Sequence, residues 1–463
     1  MMQDVQAWAE EQWGDVELGD ARRTRRAVSA GAAMAQRSDA GLPQQMQAWT
    51  ATIDSAAVDP LPKAADPAWA GSAGAAYRLL DRPEVTLEAA AAPHRAMTRA
   101  AAAASPEPVL FVHDGTCLDL TRHNAMAGRG RIGDDGGFGF LAHDCLALAA
   151  GDGRVLGLAE LRVWARTEPP KAGRETRAAR LKRRTEADVW AESVETVGPC
   201  PDGCIWVSVG DCGADVFSHL ARARALGWHV LIRVCQDRRI EGGHLVTTLR
   251  GLAPMATRTV ELRDGNRRRT VEVSVARTAV TLLPARLRRD GLPALPCVGV
   301  RVWGHDLEWL LLTTLPIEDE RAAQEKVDWY CQRWTIEQYH KALKTGCRVE
   351  HRQVRTAERF LPLLGFYAIV AVRLLQLRDA ARLEPEAPSE QPATVRALLA
   401  GALGLTLDRV ATRRGFCHAL ARLGGFLGRR SDGEPGWQTL WHGHQALLLI
   451  LLGADLATAG RSG

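Results

Sequence analysis

The sequence lacks a second cysteine pair. Cys200 and Cys204 stand close together, but no further Cys or His pair of zinc-ligand spacing follows them. The ten cysteines are otherwise scattered, which favours reduced thiols in a cytosolic protein over a structural zinc. A secretory leader is also missing: "MMQDVQAWAEEQWGDVELGD" is acidic and holds no apolar core. Long apolar runs are few. "FLPLLGFYAIVAVRLLQL" is interrupted by Pro362 and Arg373, and "ALLLILLGA" is far shorter than the roughly 20 residues of a bilayer span. Both read as buried helices, so the expectation is a cytoplasmic protein. There is little charge surplus, with 59 Lys and Arg against 54 Asp and Glu, a net +5. Nucleic-acid binding therefore has to be argued from where the charge lies, not from its total. No internal repeat is found.

What is present is an ordinary globular composition, 46% apolar and 24% charged, in 463 residues. That length allows a large core with one or two smaller domains. The first hundred residues read as Ala-rich helices. "LGDARRTRRAVSAGAAMAQR" places Asp20 as an N-cap ahead of Arg22, Arg23, Arg25 and Arg26, and Pro83 ends the helix of "GSAGAAYRLLDRPEV". Such a basic helix suits a DNA groove and suits a solvated surface equally well.

Near residue 108 the texture changes to strands. "PVLFVHDGT" is an apolar run ending in a turn, and "FLAHDCLALAAGDGRVLGLAELRVW" holds two strands around "GDGR". A strongly basic segment, 171–184, follows. "CIWVSVGDCGADVFSHLARARALG" then reads as strand, turn and helix, and "WHVLIRV" as another strand. Strands followed by helices predict a mixed α/β core. Residues 236–308 alternate instead, as in "RTVELRDGNRRRTVEVSVAR", and predict an antiparallel insertion presenting Arg267, Arg268 and Arg269. "EWLLLTTLP" returns to a buried strand. Beyond the Pro- and Glu-rich "LEPEAPSEQPAT", residues 395–463 read as a helical tail.

The segment "WYCQRWTIEQYHKALKTG", 329–346, predicts a single helix. At about 100° per residue, Tyr330, Arg333, Glu337 and Lys344 fall at roughly 0°, −60°, −20° and −40°, one narrow stripe with Lys341 beside it. An exposed i, i+4 ion pair between Arg333 and Glu337 explains part of the pattern. Phosphodiester chemistry explains more of it, since it needs a carboxylate for metal, a cation for phosphate and an aromatic surface. Two further acids follow apolar strands: Asp114 after "VLFVH" and Asp211 after "CIWVSVG". Each is an ordinary turn residue or one of three carboxylates that converge to hold a pair of divalent ions.

Taken together, these residues resemble the bacterial DDE transposases of the IS-four family, in particular the Tn-five-like branch. Tyr330, Arg333, Glu337 and Lys344 match that family's Y-R-E-K signature in full, and "HDGTCLDL" and "GDCGADVF" are similar to its two aspartate segments. "LGDARRTRRAV" and "GAAYRLLDRPEV" resemble its end-binding domain, and "LARLGGFLGRR" with "GWQTLWHGHQAL" its dimerisation helices. The resemblance implies a ribonuclease H-like mixed sheet core over 106–378, with the β insertion at about 236–308. It also implies a helical DNA-binding domain over 1–105 and a helical dimerisation domain over 395–463.

By the same resemblance, Asp114, Asp211 and Glu337 are the metal ligands, for two Mg²⁺ with Mn²⁺ as a substitute. Tyr330, Arg333 and Lys344 contact DNA phosphates, with His340 and Lys341 beside them. Trp309 stacks on a flipped base. Arg233 is a basic position at a strand end, and Arg22, Arg23, Arg26 and Arg78 read the end sequence. The implied activity is cut-and-paste transposition of double-stranded DNA by a homodimer in the DNA complex, through a hairpin intermediate, in a protein that joins the nucleoid when bound. One departure stands out: the family's Asp-Arg-Glu-Ala-Asp run reads Asp211-Cys212-Gly213-Ala214-Asp215 here. It gives a rival reading its support, a decayed or repurposed copy that only binds DNA as a dimer.

Overall fold

The computed structural model describes residues 80–133, 136–167, 184–264, 267–284, 292–304, 307–352, 354–429 and 432–459. Arg22, Arg23, Arg26, Arg78 and most of the basic 171–184 segment lie outside them, as do the side chains of Arg267, Arg268 and Arg269.

Apolar alternation builds one sheet with two covered faces. Its strands are β1 (Val109–Asp119), β2 (Gly130–Ile132), β3 (Gly137–Ala149), β4 (Val155–Trp164), β5 (Trp206–Gly210) and β6 (His229–Arg233). Then come β7 (Arg239–Ile240), β8 (Gly243–His244), β9 (Ala256–Asp264), β10 (Arg267–Leu282), β11 (Leu295–Gly304) and β12 (Leu307–Thr313). Their order is β2-β3-β1-β5-β6-β12-β11-β10-β7-β8, with β4 beside β3 and β9 beside β10. β1, β5 and β6 run parallel, and the other pairings are antiparallel. The antiparallel segment expected at 236–308 is present. It extends the core sheet outward from β12, and it includes a short helix that the alternation did not announce, α4 (Leu245–Arg250).

Alternate residues feed two different cores. On one face Leu110 and Val112 of β1, Val207 and Val209 of β5, Leu231 of β6 and Leu311 of β12 share a cluster. Helices α5 (Glu320–Cys331), α6 (Trp334–Lys341) and α7 (Ala357–Leu383) cover it. On the other face Val109, Phe111, Trp206 and Ile232 pack against α2 (Val189–Val197), α3 (Phe217–Ala225) and α4. The first described helix, α1 (Leu87–Ala103), lies against β4 and α7. α7 is long and apolar enough to cross a membrane, but most of it is buried inside the fold. It also runs through Pro362 and Arg373, which the sequence reading took as interruptions.

The tail consists of α8 (Ala393–Leu403), α9 (Arg413–Leu423) and α10 (Trp437–Ala459), with a small core of its own. α9 and its C-cap meet α10 backbone to backbone at two glycines. A Cβ on Gly443 would sit 1.8 Å from the carbonyl oxygen of Leu420, and one on Gly424 would sit 1.9 Å from that of Thr439.

Burial also sets an acid limit to stability. His94 and His219 are almost fully enclosed, and burial holds each imidazole down to about 4. For His94 the nearby Arg373 adds to the effect. In the unfolded chain these groups titrate near their ordinary 6.5. Their neutral burial therefore contributes fully above pH 6.5 and is lost as pH falls from 6.5 towards 4. Each is expected to remove up to about 1.4 kcal/mol of unfolding free energy per pH unit in that window. Urea unfolding at stepped pH measures the slope, and His219→Gln is expected to flatten it.

Candidate active site

The sheet register brings the two aspartates together. β1 and β5 pair in parallel, with Val112 opposite Val209, so Asp114 and Asp211, each two residues on, stand side by side. By the same alternation both belong to the face covered by α5 and α6. Gly210 is opposite Ile232 on β6, which places Arg233 next to Asp211. Gly210 has to be glycine, because a Cβ there would meet Ala214 at 2.4 Å and the Trp190 ring at 2.8 Å.

Contrary to the sequence reading, β1 does not end at Asp114. It continues to Asp119 because β3 pairs with it throughout, with Asp114 opposite Asp144. Only the parallel ladder to β5 stops short, and that is what opens the space beside Asp114.

The predicted single helix over 329–346 is also corrected. It is broken into α5, α6 and a π-turn, Ala342–Gly346. Between α5 and α6 the chain tightens into i→i+3 bonds, Arg333 N to Tyr330 O and Ile336 N to Arg333 O. Gln332 anchors this turn by donating from Nε2 to the Ala150 carbonyl at 2.8 Å. The wheel drawn at 3.6 residues per turn therefore does not carry across the segment.

What the break achieves is the placement of Arg333. Its guanidinium donates to Glu337 Oε1 at 2.5 Å and reaches Asp114 Oδ2 at 3.4 Å. Burial works against that cation, yet the Glu337 hydrogen bond and the neighbouring Tyr330, Glu337 and Asp114 leave it harder to deprotonate than usual. Burial raises the Asp114 carboxyl above its ordinary range, and the Asp211 charge adds to this. His340 and Arg333 pull the other way. Asp211 caps the turn Cys212–Ala214 by accepting from Gly213 N at 2.7 Å.

Tyr330 is buried, and its hydroxyl is pushed up to about 12, chiefly by that burial. Arg333, Arg233 and Asp211 are its charged neighbours. Half-buried Trp309 packs edge-on against it with ring centroids 5.5 Å apart. The structure thus gathers Asp114, Asp211, Glu337, Arg333, Tyr330, His340, Arg233 and Trp309 on one face.

Lys344 lies further along β1, where it bonds the Cys117 carbonyl and stands 3.5 Å from Glu350. Lys341 is exposed. Among the described residues, no three His, Cys, Asp or Glu side chains form a finished metal cage. The donor set still suits a hard divalent cation: two neighbouring aspartates and a glutamate offer oxygen only, around a carboxyl whose charge is under-compensated.

Two acids of this region escaped the sequence reading. Asp144 is fully buried on β3 and accepts from His340 Nε2 at 2.9 Å and from the Tyr339 hydroxyl at 3.4 Å. Its signal was an Asp within the apolar run "FLAHDCLALAA". Asp215 closes the altered run after Asp211. It accepts from Arg238 Nε at 2.5 Å and from the backbone N–H groups of Cys235 and Gln236, each at 3.0 Å. Arg238 thus forms an ion pair with the aspartate that ends the substituted run.

Three family models match separate stretches of the chain. A transposase DDE domain covers residues 182–372, which includes Asp211 and Glu337 but begins after Asp114. A transposase DNA-binding model covers 5–57, which includes Arg22, Arg23 and Arg26, and a transposase Tn5 dimerisation domain covers 408–462. The mixed sheet with its helical tail has the ribonuclease H-like layout of such enzymes. With a DNA-binding, a catalytic and a dimerisation region in one polypeptide, the chain belongs to the Tn5-like DDE transposases, enzymes that cleave and join DNA.

Proposed function

We propose that the enzyme performs cut-and-paste transposition of an insertion sequence, with Asp114, Asp211 and Glu337 as its metal ligands. The observation that carries this is the parallel register, which sets both aspartates on the face where α6 brings Glu337. An all-oxygen site favours magnesium, with manganese able to substitute. Two bound ions would supply Lewis-acid stabilisation for the in-line displacements at phosphorus.

The chain's own residues do the rest. Arg333, which pairs with Asp114 and Glu337 in the free protein, turns its guanidinium to the scissile phosphate. Tyr330 stays protonated at neutral pH and donates from its hydroxyl. Arg233, Lys344, His340 and Lys341 position the backbone around the cut, and Trp309 offers its ring to an unstacked base near the end. Residues 1–105 read the inverted end through Arg22, Arg23, Arg26 and Arg78, while 106–378 cut and 395–463 dimerise. Water attacks one strand, and the freed 3′-hydroxyl attacks the other to close a hairpin and expel the flanking DNA. A second water opens the hairpin, and the regenerated 3′-hydroxyls attack target DNA phosphates.

The test uses end-labelled DNA carrying the element's own inverted repeat, incubated with Mg²⁺ or with EDTA and mapped on a denaturing gel. The expected products are a nick at the repeat boundary and then a hairpin, both dependent on metal. Specific binding without cutting in Mg²⁺ or Mn²⁺ would favour the decayed, DNA-binding copy instead.

A further inference from the structure

Asp144 has no part in the chemistry described so far, yet its carboxylate is fully buried in the sheet between β1 and β4. Burying a carboxylate is costly even when it accepts two hydrogen bonds, as Asp144 does, so such a group is a poor choice for stability alone. Its partners are informative. Tyr339 and His340 both belong to α6, the helix of Glu337, and His340 follows Glu337 by three residues, about one turn. On the sheet side Asp144 lies directly opposite Asp114 in the β1–β3 ladder. One buried carboxylate thus ties the helix of one active-site acid to the strand of another.

The bond also fixes the imidazole. With Nε2–H given to Asp144 at 2.9 Å, Nδ1 is the nitrogen left over, and it has no hydrogen-bond partner among the described residues. His340 is also a near neighbour of Asp114.

We propose that Asp144 is a positioning residue for strand cleavage: through His340 it sets where α6 presents Glu337 relative to Asp114, and it holds the imidazole in one orientation beside the reacting phosphate. The proposal rests on the assignment of Asp114 and Glu337 as active-site acids.

The test measures single-turnover nicking of saturating end DNA, end affinity by gel shift, and melting. The variants are Asp144→Leu, Asp144→Asn, His340→Ala and the double Asp144→Leu/His340→Ala. Leucine leaves the buried Tyr339 hydroxyl and the His340 N–H without their acceptor, so Asp144→Leu is expected to melt below the wild type while staying folded at the assay temperature. Asp144→Leu should nevertheless nick about 30-fold more slowly, with end affinity held within about twofold. Asp144→Asn keeps an acceptor for Nε2–H and should stay within about threefold of wild type. If Asp144 acts through His340, His340→Ala matches the loss in Asp144→Leu, and the double variant is no slower than either.

Wild-type nicking by Asp144→Leu, losses that multiply in the double variant, or an Asp144→Leu protein that fails to fold would each overturn the proposal. Glu337→Gln run alongside separates the two levels. If it is inactive while Asp144→Leu cuts normally, only the positioning role falls; if Glu337→Gln itself cuts, the site assignment falls with it.

Discussion

Glu337→Gln is expected to bind end DNA as the wild type does and to nick it at least about a thousandfold more slowly in Mg²⁺. The size follows from the several kcal/mol of charge stabilisation that a correctly held divalent ion contributes, at roughly tenfold per 1.4 kcal/mol. Binding should survive because the amide oxygen of Gln can still accept from Arg333, which now holds Glu337 at 2.5 Å. The side chain is about 29% exposed, so stability should change by less than about 1 kcal/mol. Gel-shift and nicking assays on one preparation decide the matter, and a Gln variant that cuts at the wild-type rate would remove Glu337 from the chemistry.

The largest expected loss of stability lies elsewhere, at Asp215. This carboxylate is wholly enclosed and compensates Arg238 as well as two backbone N–H groups. Asp215→Ala leaves a largely buried guanidinium and two amides without their acceptor, which costs about 3–5 kcal/mol. Because Asp215 ends the turn that Asp211 begins, and Cys235 follows Arg233 by two residues, nicking should fall along with stability. Urea unfolding midpoints test the first effect. A midpoint equal to that of the wild type would show that the pair is not the clamp described here.

Much of this was legible in the sequence. The change of texture near residue 108, the apolar strands that carry Asp114 and lead into Asp211, and the acid at 337 are local patterns of alternation and turn chemistry. What escaped depended on partners distant in the chain. "HDGT" looks like a turn, and only β3 reveals that the strand continues. The break before α6 depends on Gln332 meeting the Ala150 carbonyl, and no periodicity within 329–346 announces that contact. Asp144 was visible as an odd residue in an apolar run, but its meaning came from His340, nearly two hundred positions away. The bonds of Asp215 to Arg238 and its neighbours were likewise invisible to a reading that looked only at the run Asp211–Asp215.

The position of β12 has a kinetic side. β6 meets β12 only after all of β7–β11 has been made, so the joint at the middle of the sheet closes a long loop. Contacts of such sequence separation give up chain entropy before they return any energy, and they form late. Until β12 docks, β6 offers a bare apolar edge beside Asp211, ready to pair with a strand from another molecule. Refolding of this enzyme should therefore be slow and sensitive to concentration, with aggregation competing against the docking of a single strand.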